Sequence, residues 1–174
     1  FDLTLPKNTY TSSWVASDKY YAKKYLENNG FQIAPGIVLH SSERKRICDQ
    51  AEKLGFPVVI KPTQRGHGEC VFTLLESEPE LLHALDAFID YFGTMPLLLE
   101  KHIFGDEYRL FVTSKGFFAA VKRTPASVTG DGERTLQQLI AAENYQRMHP
   151  RTNCLCTIKL DAVCRQYLEK KDIE

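Results

Sequence analysis

No charge of one sign dominates this sequence. Lys plus Arg and Asp plus Glu each count 22 in 174 residues. Binding to bulk nucleic acid needs a surplus of basic groups against phosphate, so that class is disfavoured. No apolar run approaches about 20 residues, and no membrane-spanning helix is expected. The opening Phe1-Asp2-Leu3-Thr4 has no basic stretch leading into an apolar one, so it does not read as a signal peptide. It also lacks an initiator Met, and the end at Asp172-Ile173-Glu174 is abrupt. Both features read as part of a longer protein. Cysteines are few and odd in number, five at positions 48, 70, 154, 156 and 164. That fits reduced thiols in the cytoplasm better than a disulfide framework. Cys154-x-Cys156 has the wrong spacing for a zinc knuckle, and no metal site is expected there. The single tryptophan, Trp14, reads as a core anchor for an otherwise loose N-terminal segment.

The common phosphate-binding loop, Gly-x-x-x-x-Gly-Lys-Ser/Thr, is missing as well. A different arrangement of lysine and glycine is present: Val58-Val59-Ile60-Lys61-Pro62-Thr63-Gln64-Arg65-Gly66-His67-Gly68-Glu69. The β-branched run reads as a strand buried on both faces. Lysine is a poor residue for the inside of such a strand, but at its end it can present an ammonium to an anion. Gly66 and Gly68 then let backbone N–H groups approach that anion closely. His67 between them reads as a solvated loop residue rather than a catalyst.

Elements alternate along the rest of the chain, with no internal repeat and no low-complexity segment. Apolar residues make up 43%, the usual share for a globular protein. Asp18 can cap a helix through Tyr21, Ala22, Tyr25 and Leu26 that stops at Gly30. A short strand follows near 37–40, then a helix carrying Ile47, Ala51 and Leu54 and closed by Gly55. After the glycine loop come a strand near 71–75 and a helix from Glu78-Pro79 with Leu82, Leu85 and Ile89 on one face. Leu97-Leu98-Leu99-Glu100 is a strand, and 107–113 with 116–123 a hairpin turning at Ser114-Lys115-Gly116. Thr135 caps a further helix, and 160–168 forms the last. Helices mixed with short strands and a hairpin indicate α+β rather than a plain doubly wound sheet. Tyr20, Tyr21 and Tyr25 read as core packing, and Lys23-Lys24 and Glu43-Arg44-Lys45-Arg46 as solvated helix faces.

The residues after the 97–100 strand complete a nucleotide pattern. Adenine needs a backbone donor and acceptor beside an apolar wall, and the segment 100–103 can offer them where strand pairing ends. Ribose needs a carboxylate, and Glu107 stands one short turn later. Lys19 and Lys61 can hold phosphates as point charges. Arg109, Lys122 and Arg123 alternate with apolar residues on the hairpin, and guanidinium groups suit phosphate or carboxylate.

In this order the motifs resemble the ATP-grasp ligases. They are Asp18-Lys19, the 58–62 strand, the glycine loop, Glu100-x-x-Ile103-x-Gly105-x-Glu107 and Arg123-x-Pro125-Ala126. The stretch Arg123-Thr124-Pro125-Ala126-Ser127-Val128-Thr129-Gly130-Asp131-Gly132-Glu133-Arg134-Thr135 narrows the likeness. With Leu139-Ile140, Asn144 and Ile158-Lys159-Leu160-Asp161, it is similar to cyanophycin synthetases and the ligase half of bifunctional glutathione synthetases.

The resemblance implies an ATP-grasp fold of two α+β lobes. The expected division is an N-terminal extension over 1–16, a first lobe with the glycine-rich lid over 17–95, and an incomplete second lobe over 96–174. It implies an ATP-dependent carboxylate–amine ligase that forms an amide through an acyl-phosphate, with an amino acid or peptide as substrate. Lys19 and Lys61 would contact the ATP phosphates, with Gly66, His67 and Gly68 in the lid above them. The backbone of Lys101 and Ile103 would read adenine, Glu100 would line that pocket, and Glu107 would hold ribose. Arg109 and Arg123 would face the transferred phosphate. Magnesium is implied too, with ligands on strands beyond residue 174. The alternative is a nucleotide-binding or interaction module that does no chemistry.

Overall fold

A computed structural model describes residues 8–66, 68–113, 115–149 and 155–171. His67, Ser114 of the hairpin turn and Cys154 lie outside the described residues. The elements are α1 (Tyr10–Ser17), α2 (Lys19–Asn28), β1 (Gly36–His40), α3 (Arg44–Leu54), β2 (Val58–Pro62), β3 (Phe72–Leu75), α4 (Glu78–Phe92), β4 (Pro96–Lys101), β5 (Glu107–Thr113), β6 (Gly116–Arg123), α5 (Leu136–Arg147) and α6 (Ala162–Lys170). The fold is α+β, and the chain divides into two compact units, 1–103 with 162–174, and 104–161. No helix among the described residues is long and apolar enough to cross a membrane.

In the first unit, four antiparallel strands run in the order β1-β4-β2-β3. Val58, Val59, Ile60, Leu97, Leu98 and Leu99 are all buried, as expected for central strands covered on both sides. One face packs on α3 and α4. Ile47 and Ala51 of α3 meet Leu81, Ala84, Leu85 and Phe88 of α4 there, with Leu39, Val58, Ile60, Phe72, Leu97 and Leu99 from the sheet. The buried stripe of α4 follows i, i+3, i+4, i+7 from Leu81 rather than from Leu82. Leu82 and Ile89, expected at its centre, flank it half-buried, because Ala84 and Phe88 fill the interior.

Local signals set most element ends. The Asp18 carboxylate accepts from Tyr20 and Tyr21 N–H and caps α2. Ser77 caps α4, where Pro79 sits in the first turn. Two expectations are corrected. Positions 10–17 form helix α1 behind a Thr9 cap, and Trp14, 47% exposed, rests on Tyr21 outside the core. Tyr21 and Tyr25 are exposed too, since α2 turns Lys19 and Lys23 toward the sheet. Strand β4 is hydrogen-bonded between β1 and β2, and the first unit runs on to Ile103. Helix α6 rejoins the first unit, where Lys170 pairs with Glu76 and Glu80.

In the second unit β5 and β6 form a two-stranded ribbon, with Leu110, Val112, Phe117 and Val121 more than half exposed. Thr135 and Gln138 form a reciprocal capping box at the start of α5. The Asn144 side chain donates to the Ile158 carbonyl at 2.9 Å and accepts from its N–H at 2.7 Å, closing the loop after α5 as a ladder partner would.

Candidate active site

The sheet face opposite α3 and α4 carries the charged groups. Side chains alternate along a strand, so Glu100 and Lys61 fall on this face while Leu99 and Ile60 enter the core. The Lys61 ammonium donates to Glu100 Oε1. Lys23, on α2, donates to Glu100 Oε2 at 2.5 Å and to the Ala34 carbonyl at 2.6 Å. All three side chains are largely enclosed, with 21% of Lys61, 17% of Lys23 and 10% of Glu100 exposed. One buried carboxylate therefore holds two ammonium groups, one on each oxygen.

Lys19, one turn before Lys23, stitches α2 to the end of β2. Its N–H donates to the Thr63 carbonyl at 3.0 Å, and its Nζ to the carbonyls of Pro62 at 3.0 Å and Arg65 at 2.6 Å. Gln64 adds a bond to the Asp18 carboxylate. The ammonium of Lys19 thus sits at the root of the glycine loop. Burial, and then the Lys61 charge, lower its pKa from the ordinary lysine value, while Asp18 and Glu100 pull the other way. Two lysines that feel each other across one short space form a cation pair suited to a polyanion.

The glycine loop folds back on itself. Glu69 N–H donates to the Gly66 carbonyl and Val71 N–H to the Gly68 carbonyl. Gly68 has φ +77°, and nothing lies within 4 Å of a Cβ built on Gly66 or Gly68. Tyr91 donates to Glu69 at 2.9 Å, and Arg65 lies over the Phe92 ring, so the end of α4 holds both flanks of the loop.

Beyond Lys61, β4 ends in an open donor–acceptor pair. Lys101 N–H donates to the Pro35 carbonyl at 2.8 Å, continuing the β1–β4 ladder by one rung. Proline has no N–H to return, so the Lys101 carbonyl gains no ladder partner. Two residues on, the Ile103 N–H meets no acceptor among the described residues. The Lys101 side chain turns away and ties down the carbonyls of Gly55 and Phe56 at 2.7 and 2.9 Å. Any recognition at Lys101 is therefore left to its backbone.

In the second unit, Glu107, Arg109 and Arg123 lie on one face of the ribbon, where Glu107 opposes Arg123 and Arg109 opposes Val121. Arg123 donates to Glu107 at 2.6 Å, and both are exposed. Arg109 has no ion-pair partner among the described residues. Lys122 points to the other face and pairs with Asp106 at 2.7 Å.

Comparison with known proteins fits this arrangement. No protein-family model matches the chain. The cyanophycin synthetase of Geminocystis herdmanii is 28% identical over 163 residues, covering 92% of this chain. The glutathione biosynthesis bifunctional protein GshAB of Streptococcus mutans is 32% identical over 149 residues, 83% of the chain. Among solved structures, a D-alanine–D-alanine ligase from Bacillus anthracis is 25% identical with a TM-score of 0.57, over 70% of this chain and 39% of that one. A structure of the B. anthracis ligase complexed with ATP gives 27% and 0.54, over 66% and 37%. In sequence and fold the chain is similar to ATP-grasp ligases. It spans about a fifth of the length of the curated relatives it matches, 18% and 19%.

Three positions of this chain escaped the sequence reading. Lys23 is no solvated helix lysine. Its spacing of four from Lys19 puts both on one face of α2, which is the signal that could have found it. Gly36 and Pro35 matter through partners some 65 residues away, and no local pattern shows that. Among the described residues no cluster of three or more His, Cys, Asp or Glu could hold a metal ion. The chemistry of the groups described above is that of cations and backbone groups.

Proposed function

We propose that this chain is the nucleotide-binding part of an ATP-dependent carboxylate–amine ligase. Lys19 and Lys61 hold the phosphates, and Gly66 and Gly68 let the loop close over them; His67 is assigned to the same loop by sequence order. The Lys101 carbonyl accepts from the adenine amino group and the Ile103 N–H donates to a ring nitrogen, beside Glu100. Glu107 binds the ribose, and Arg109 and Arg123 take the phosphate as it passes to the substrate carboxylate. An amine of an amino acid or peptide then attacks the acyl-phosphate, forming the amide and releasing phosphate. Positive groups fixed in advance where charge moves between oxygens are what such a transfer needs. Magnesium, if used, is held by residues other than those described. A reducing, cytoplasmic setting suits the cysteine usage.

The observation that carries this reading is the pairing of two converging lysines with an open backbone donor and acceptor at the end of β4, in a chain similar to this family. The Glu107–Arg123 pair adds a carboxylate that ligand binding would release from its guanidinium. The test is phosphate release by the intact protein, with ATP and a panel of amino acids and small peptides. Amine-dependent release that Lys61→Ala abolishes is expected. ATP binding without release under any pair of substrates would instead leave a nucleotide-binding module.

A further inference from the structure

Glu100 is held from two sides, and the two sides differ. Lys23 spends one N–H on Glu100 Oε2 and another on the Ala34 carbonyl, so it is tethered twice. Among the described residues the Lys61 ammonium has a single hydrogen-bond partner, Glu100 Oε1. A phosphate that draws on the Lys61 ammonium divides that single charge between itself and the carboxylate. A carboxylate as enclosed as Glu100 is costly to leave without a partner. The cost vanishes if another cation stays behind, and Lys23 is already in place.

We propose that Lys23 is a positioning residue: the standing counter-ion of Glu100, which frees Lys61 for an anionic ligand. This rests on the phosphate role proposed above for Lys61. Lys61 is one member of a three-group set in which a negative ligand replaces one carboxylate oxygen. Lys19 adds positive charge on the same side and favours the exchange. Without Lys23, the only ammonium hydrogen-bonded to Glu100 among the described residues is the one the ligand needs.

ATP binding by the intact protein, read by displacement of a fluorescent nucleotide, tests this. Lys23→Met is expected to weaken ATP about 10-fold, the size of coupling seen between groups of one buried network. Lys23→Arg keeps the charge and should hold most of the affinity. The deciding measurement is the double variant Lys23→Met with Glu100→Gln. Once the carboxylate is gone Lys61 needs no substitute, so the double variant should bind within about 2-fold of Glu100→Gln alone. Equal loss from Lys23→Met whether residue 100 is Glu or Gln would mean a merely structural role and overturn the proposal. So would Lys23→Met binding like the wild type. If Lys23→Met alone does not fold, the arginine variant and the double variant decide in the same way. Wild-type protein that ignores ATP, or Lys61→Met that binds it undiminished, would instead refute the phosphate reading and this inference with it.

Discussion

Gly36 stands directly opposite Glu100 in the β1–β4 ladder, so close that a Cβ on residue 36 would lie 2.6 Å from Glu100 Cβ and 2.7 Å from the Leu99 carbonyl oxygen. The pair occupies the narrow, non-hydrogen-bonded position of the ladder, where the backbones approach most closely. Glycine there lets β1 close on β4 and leaves the face free for Glu100 and its two lysines.

Gly36→Ala should therefore strain the centre of the site. The obstructing atoms are backbone and Cβ, not the end of a flexible side chain. A loss of about 2 kcal/mol is expected, as for other overpacked interiors, read by urea unfolding. Gly66→Ala, where nothing lies within 4 Å, should leave stability nearly unchanged.

Pro35 keeps the Lys101 carbonyl open by having no N–H. In Pro35→Ala the new amide can complete the rung that Lys101 N–H already begins. Hydrogen exchange at that new amide should then be slow. ATP should bind roughly 3- to 10-fold more weakly, about the worth of one hydrogen bond, while inorganic triphosphate binds as before. Equal losses for both ligands would remove the Lys101 carbonyl from adenine recognition.

The pH response of Lys19 has a definite sign. Its folded pKa lies below the ordinary lysine value, first through burial and then through Lys61. Between the folded and unfolded values the unfolded chain holds more protons, so this group makes stability rise as pH rises through that window. Phosphate affinity moves the opposite way there, because the neutral amine no longer attracts an anion. Unfolding and ATP titrations carried upward to the ordinary lysine value, about 10.4, should show both trends, and Lys19→Met should lack them.

Asn144 does for the second unit what a strand partner would do. Asn144→Ala leaves the N–H and carbonyl of Ile158 without their present partner, at a cost of about 2 kcal/mol. Amide exchange at Ile158 should speed up well before that at the α5 capping box. Asn144→Asp keeps the acceptor and should fall between alanine and wild type.

Much of this was legible because it is local. The Asp18 and Thr135 caps, the buried run of β2, the hairpin strands 107–113 and 116–123 and the glycine loop all declare themselves within a few residues. What was misread depends on which face turns inward. Tyr21 and Tyr25 look like core residues until α2 is seen to present Lys19 and Lys23 to the sheet. A helix of eight residues without a regular apolar stripe, α1, offers no periodic signal to find.

The family likeness, the α+β class and the ordered set of candidate contacts are read from the order of residues alone, because each motif is a short run whose chemistry survives without neighbours. Tertiary structure was needed to place β4 between β1 and β2, and to return α6 to the first unit. It was needed as well to join Lys23, Lys61 and Glu100, since the two lysines lie 77 and 39 positions from the carboxylate in the chain. Antiparallel pairing across such separations is set by which buried faces fit together, and charge placement follows from that pairing rather than from any local pattern.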